Sequence, residues 1–208
     1  MKKIYLFSTS SHVDAISINS LDITFLKPKI DFSVYDYFII TSKQTSKALR
    51  QYDINSFKDI KALCVSQKTA EAFEKLGGDI LEVGDGYGDK LTNRIKKYPK
   101  NTRWLYLRAK DVASSFVKEL KKEKYHIDEI ILYESRCSKD ILDLHVEDNA
   151  TLIFTSPSSV ECFLKNKTIS AKNKVIVIGE TTAKVLPENT EYIVSNEKNI
   201  ESCISLSH

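Results

Sequence analysis

The sequence predicts an α/β fold made of two similar parallel-sheet domains, and three observations carry that prediction. Short apolar runs alternate with segments of helical period along the chain, as parallel strands do when crossover helices join them. Several runs, such as KVIVIG at Lys174 to Gly179, lack polar alternation, which suits strands covered on both faces. Two short motifs also recur in order. Thr41-Ser42 precedes Thr155-Ser156 by 155 − 41 = 114 positions, and Thr69-Ala70 precedes Thr182-Ala183 by 182 − 69 = 113. Shared order and spacing indicate duplication, and only two copies indicate paired domains rather than a solenoid.

The elements follow in order. Lys3 to Phe7 is a first strand: the apolar run stops at Ser8, far short of the core of a signal peptide. DITFLKPKIDFS, Asp22 to Ser33, holds the first proline and marks a break before the first repeat unit. That unit comprises strands at Tyr37 to Ile40, Ala62 to Val65 and Ile80 to Val83, with a helix after each of the first two. The Gly-rich VGDGYGDKL then turns into a helix capped near Gly88 or Asp89. Trp104 to Leu107 is a strand, and SSFVKELKKEKY sets Phe116, Leu120 and Tyr125 on one helical side with lysines elsewhere. Ile127 to Tyr133 is extended. The second unit has strands at Leu152 to Phe154, Val175 to Ile178 and Tyr192 to Val194, followed by a terminal helix. Extended stretches precede both units, and the residue pattern leaves open whether the first strand returns to the C-terminal half.

Composition narrows the function. The chain has 208 residues, a formal net charge of +3 and a pI of about 8.5, with Lys and Arg spread along its length. Scattered charge of this size does not point to nucleic acid or to a membrane surface. No apolar run approaches the ~20 residues of a membrane helix, so a soluble, cytoplasmic protein is expected. Cys64, Cys137, Cys162 and Cys203 are widely spaced, without a C-x-x-C pair or a nearby histidine to complete a zinc pattern, and are expected to be free thiols. His12, His126, His145 and His208 form no recognisable pair. There is no G-x-G-x-x-G after the first strand, no P-loop, no H-E-x-x-H and no G-x-S-x-G. Nucleotide-dependent, metal-dependent and triad chemistry lose ground, which leaves chemistry by positioning and hydrogen bonding.

Ligands of parallel α/β sheets sit outside the carboxyl ends of the strands, where both T-S and both T-A motifs fall. Ser156 is a good N-cap and Pro157 fits the first helical position, so capping explains that turn by itself. The same helix starts leave N–H groups free for carboxylate or phosphate. Thr69 and Thr182 fall about three residues into their helices, able to face a ligand or to bond their own turn. Arg108 and Lys110 follow the strand RWLYLR and are candidates for neutralising carboxylates, although solvation is the common fate of such residues. Tyr133, in IILYESR, is a packed ring or, in a site, a proton donor to a departing hydroxyl.

The ordered set FIITSKQTSKAL, CVSQKTAEAFEKLGG, LYLRAKDVASSFVKEL, IDEIILYESR, LIFTSPSSV and KVIVIGETTAKVL resembles the uroporphyrinogen-III synthase family, from about residue 36 to about residue 186. Y-E-S-R, F-T-S-P-S and I-G-x-T-T-A are its most specific parts. The resemblance implies two α/β domains joined by a two-stranded connector, with the active site in the cleft between them. One domain would combine residues 1–22 and 137–208, the other would span 34–126, and 23–33 with 127–136 would form the connector. It implies a monomeric, cofactor-free lyase of heme biosynthesis that cyclises hydroxymethylbilane, a linear tetrapyrrole, to uroporphyrinogen III with loss of water and inversion of ring D.

Carried over by position, Tyr133 is the implied catalytic residue, assisting hydroxyl departure. Thr69, Thr181 and Thr182 in the T-A turns, Ser156 and Ser158 in the S-P-S turn, Lys174, and Thr41 and Ser42 in the other domain become implied substrate contacts. Arg108 joins them from the strand-end reading. Ser8-Thr9 stands where many members have Arg-Pro, the short segment SSHVDAISINSLD reduces the helix implied there to a turn or two, and Ala109 stands where a glycine is common. The competing reading is a noncatalytic two-lobed module binding an anionic small molecule, which would keep the helix starts and have no use for Tyr133.

Overall fold

The computed structural model describes residues 2–112 and 114–207, apart from the side chain of Asp89; His208 lies outside the described residues. The chain begins with β1 (Ile4–Ser8) and β2 (Ile16–Asn19), linked by a turn in place of the short helix expected there. His12 organises that link: its Nδ1 accepts from Asp14 N, and its carbonyl accepts from Ala15 N. β3 (Leu21–Phe25) leads through the proline-containing stretch to β4 (Tyr37–Ile40), α1 (Lys43–Leu49), β5 (Lys61–Cys64), α2 (Gln67–Glu74) and β6 (Ile80–Val83).

After β6 the Gly-rich segment folds back on the sheet, with Gly84 N and Gly86 N donating to Cys64 O and Val65 O. Gly86 has φ +90°, a conformation that L side chains rarely adopt. A 3-10 turn at Gly88–Lys90 precedes α3 (Leu91–Ile95). β7 (Arg103–Ala109), α4 (Phe116–Lys122) and β8 (His126–Cys137) complete the middle of the chain. Phe116 and Leu120 of α4 are buried as their spacing predicted, and Lys124 ends the helix with φ 66°. Then come α5 (Lys139–Asp143), β9 (Thr151–Phe154), α6 (Pro157–Leu164), β10 (Lys174–Val177), α7 (Glu180–Ala183), β11 (Tyr192–Val194) and α8 (Ile200–Ser205).

The chain divides into two compact units, one of residues 1–22 with 136–208 and one of residues 23–135. The first holds a five-stranded sheet in the order β11-β10-β9-β1-β2, and the second a six-stranded sheet in the order β3-β8-β7-β4-β5-β6. Residues 23–33 and 127–136, the expected connector, hold the end of β3 and most of β8, which are neighbours at one edge of the six-stranded sheet. β8 is a continuous strand whose first half pairs in parallel with β7, from Arg103↔His126 onward.

Each sheet is covered on both faces, as the unbroken apolar runs require. In the six-stranded sheet, Phe38, Ile40, Ala62, Cys64, Leu105 and Leu107 pack with Ala48, Leu49, Ala70 and Phe73 of α1 and α2. Ile39, Leu63, Trp104 and Tyr106 face the other way, against Leu91, Ile95, Phe116 and Leu120 of α3 and α4. In the five-stranded sheet, Phe7, Phe154 and Phe163 form a tight triplet with centroids 4.8 to 5.4 Å apart. Leu6, Ile153 and Ile176 lie under Cys203 and Ile204 of α8. Each such fully buried side chain contributes roughly 1.5 to 3 kcal/mol.

The cysteines differ from expectation. Cys137 and Cys162 form a disulfide, with Cα atoms 5.3 Å apart, a separation that a disulfide spans. The fold creates the pair by packing α6 beside the end of β8, which residue spacing alone does not reveal. Cys64 and Cys203 are free and buried.

Candidate active site

The duplicated motifs occupy equivalent places in the two units. In the six-stranded sheet, Ile40↔Cys64 aligns the ends of β4 and β5, so the turns into α1 and α2 are neighbours and the two helices pack together. In the five-stranded sheet, β9 and β10 end beside each other at Phe154↔Val177, and α6 and α7 pack likewise. Thr41, Ser42 and Thr69 therefore share one carboxyl edge. Ser156, Ser158, Thr181 and Thr182 share the other.

Several of these hydroxyls also serve the local fold. Ser42 accepts from Gln44 N at 3.2 Å as the cap of α1. Thr45, one turn on, is fully buried and donates to Leu107 O at 3.1 Å, tying α1 to β7. Ser66 and Thr69 meet through their hydroxyls at 3.1 Å. At α6 a reciprocal capping box joins Ser156 and Ser159 at 3.1 and 3.2 Å, with Pro157 in the first helical position. Ser158 takes no part in that box and is half-buried. In the second T-A turn, Thr181 is exposed and Thr182 buried.

Tyr133 lies in β8 with 6 % of its surface exposed, packed with Phe38, Leu107 and Leu132. Burial pushes its phenol above the ordinary 10, and the facing hydroxyls of Ser42 and Thr45 pull it back in part. At neutral pH it is therefore a protonated donor beside the T-S turn. Tyr106 reaches the same turn from the opposite face of the sheet, its hydroxyl 2.9 Å from Thr41 Oγ1. Its phenol is also raised by burial, partly offset by Thr41.

One expected contact falls elsewhere, and another is engaged within the fold. Lys174 is the first residue of β10, in register with Thr151 at the start of β9. The strand advances about 3.3 Å per residue, so Lys174 marks the amino edge of the sheet, away from Ser156 and Thr182. Arg108 is turned inward rather than left open for a ligand. Its Nε lies 2.9 Å from Glu129 Oε2 in an ion pair without hydrogen-bond alignment. Its terminal nitrogen donates to the carbonyls of Ala109 and Lys110 at 2.9 and 2.8 Å. A cation that the repeat did not expose stands nearer the second T-A turn: Lys198 Cε lies 3.8 Å from where a β-carbon on Gly179 would sit. Lys198 belongs to the C-terminal stretch, outside both motifs.

Among the described residues, no three His, Cys, Asp or Glu side chains gather into a metal-ligating group, and no helix is long and apolar enough to cross a membrane.

Residues 9–205 match the family model described as uroporphyrinogen-III synthase HemD. The chain belongs to the uroporphyrinogen-III synthase family. Members of that family are cyclising lyases of tetrapyrrole biosynthesis. A uroporphyrinogen-III synthetase from Helicobacter pylori 26695 has a similar structure, with TM-score 0.82 and 22% identity, covering 99% of this chain and 98% of its own. A mutant uroporphyrinogen III synthase from the extremely thermophilic bacterium Thermus thermophilus matches with TM-score 0.63 and 15% identity over 92% of this chain and 86% of its own. At these identities the two solved synthases speak to fold. No curated protein sequence matches the chain significantly.

Proposed function

We propose that this chain cyclises hydroxymethylbilane to uroporphyrinogen III, with loss of water and inversion of ring D. The match of the synthase family model to residues 9–205 is the observation that carries this reading. The arrangement of the strand ends supports the residue roles. Hydroxyls and helix starts gather at one edge of each sheet, a surface suited to the carboxylates of the substrate.

Loss of the substrate hydroxyl generates an azafulvene. Ring closure at the substituted carbon of ring D gives a spiro intermediate, which fragments and recloses with that ring inverted. The substrate also closes spontaneously to the uninverted isomer, so holding a folded conformation supplies most of the catalysis. Tyr133, kept neutral by burial, donates a hydrogen bond to the departing hydroxyl. Thr41, Ser42, Thr69, Ser156, Ser158, Thr181 and Thr182 hold the acidic side chains. The enzyme acts as a monomer in this reading, without metal, organic cofactor or nucleic acid.

Purified protein given enzymatically generated hydroxymethylbilane should form the type III isomer. Type I product alone, at the spontaneous rate, would sink the synthase reading. A Tyr133→Phe variant should lose on the order of 10-fold to 100-fold in kcat while keeping its circular dichroism and melting temperature; unchanged turnover removes Tyr133 from its role.

A further inference from the structure

The threonines that follow β4 and β9 hold equivalent positions, yet they are engaged differently. Thr155 donates its proton to Phe7 O of the neighbouring strand at 3.0 Å. Thr41 instead meets the phenol of Tyr106 at 2.9 Å, where either oxygen can donate. The residue that pairs with Ile153 where Tyr106 pairs with Ile39 is Leu6, so the five-stranded sheet has no phenol at the equivalent position. Tyr106 is 2 % exposed, its ring 5.1 Å from that of Phe116. It is thus held from behind by α4 while its hydroxyl arrives at the half-buried Thr41.

We infer that Tyr106 is a positioning residue for substrate binding: its phenol donates to Thr41 Oγ1 and leaves the threonine O–H free to donate to a substrate carboxylate. A phenol is the stronger hydrogen-bond acid of the two, which sets the direction of the bond. Thr155 spends its proton on a carbonyl, whereas Thr41 keeps one to give. The inference rests on the proposed role of Thr41 as a substrate contact.

A double-mutant cycle on the full-length protein tests it, with kcat, KM and melting temperature measured for Tyr106→Phe, Thr41→Val and both together. Tyr106→Phe should raise KM about threefold to tenfold, the range for one lost hydrogen bond, with kcat within about twofold and the melting point nearly unchanged. In the Thr41→Val background the same change should have no further effect on KM. Thr41→Ser, which keeps the hydroxyl, should restore the dependence on Tyr106. A raised KM for Thr41→Val with a normal KM for Tyr106→Phe overturns the inference and leaves Thr41 as a contact. Additive effects also overturn it. A normal KM for Thr41→Val removes Thr41 from the substrate surface, and the positioning role falls with it.

Discussion

Tyr106 and Tyr133 approach the end of β4 from opposite faces of one sheet, and both phenols are raised by burial. A raised phenol favours the neutral folded state, so its stabilising contribution is complete below the unfolded value near 10 and fades as pH climbs through the folded value. Melting temperature should therefore be insensitive to these phenols up to about pH 10 and fall above it. In Tyr133→Phe the alkaline fall should be shallower; an identical alkaline profile for parent and variant would show that Tyr133 is not buried as described. The sequence supplied Tyr133 through the Y-E-S-R motif, because its neighbours in the chain mark it. Tyr106 carries no such mark: within LYLR it reads as one more strand residue, and only the register Ile39↔Tyr106 shows where its hydroxyl ends. Lys174 was misplaced, and Arg108 read as open to a ligand, for the converse reason. Charge type is visible in a sequence, but the end of the strand that bears it and the carboxylate that captures it are not.

At the scale of elements, capping and ligand binding can be separated on α6. Ser156 completes the reciprocal box, so Ser156→Ala should cost about 1 kcal/mol in chemical denaturation. Ser158 lies outside the box, and Ser158→Ala should leave stability within about 0.5 kcal/mol while raising KM. Lost stability with normal KM for Ser158→Ala would make that hydroxyl structural. Apolar runs with both faces buried announced β4, β5, β7, β9 and β10 in the sequence. β2 was missed because it is a strand of exposed and half-buried residues at the edge of its sheet. Few buried positions leave little apolar signal, and the short link from β1 to β2 needs no helix once its turn is tied by His12.

For the whole molecule, the disulfide makes a countable prediction. Burial pushes the Cys64 thiol up to about 12 and raises Cys203 as well, so neither should react with an aromatic disulfide reagent in the native protein. Denaturation without reductant should reveal two thiols, from Cys64 and Cys203; four would mean that Cys137 and Cys162 are unlinked. Cys162→Ser should lower stability by about 2 to 4 kcal/mol under nonreducing conditions. The duplication was legible only over β4–α1–β5–α2–β6 and β9–α6–β10–α7–β11, because the flanking parallel pair comes in a different chain order. β7 and β8 follow their repeat, whereas β1 and β2 precede theirs. Strand order in space is nevertheless alike, β6-β5-β4-β7-β8 beside β11-β10-β9-β1-β2. A linear comparison cannot see such a permutation. The pairing Ile4↔Thr151 has a further consequence for a chain made from its N-terminus. β1 and β2 emerge first, yet two strands alone are marginal in water, and their central partner β9 emerges only after all of residues 23–135. The six-stranded unit can thus be complete on the ribosome while the first-made strands still await their sheet.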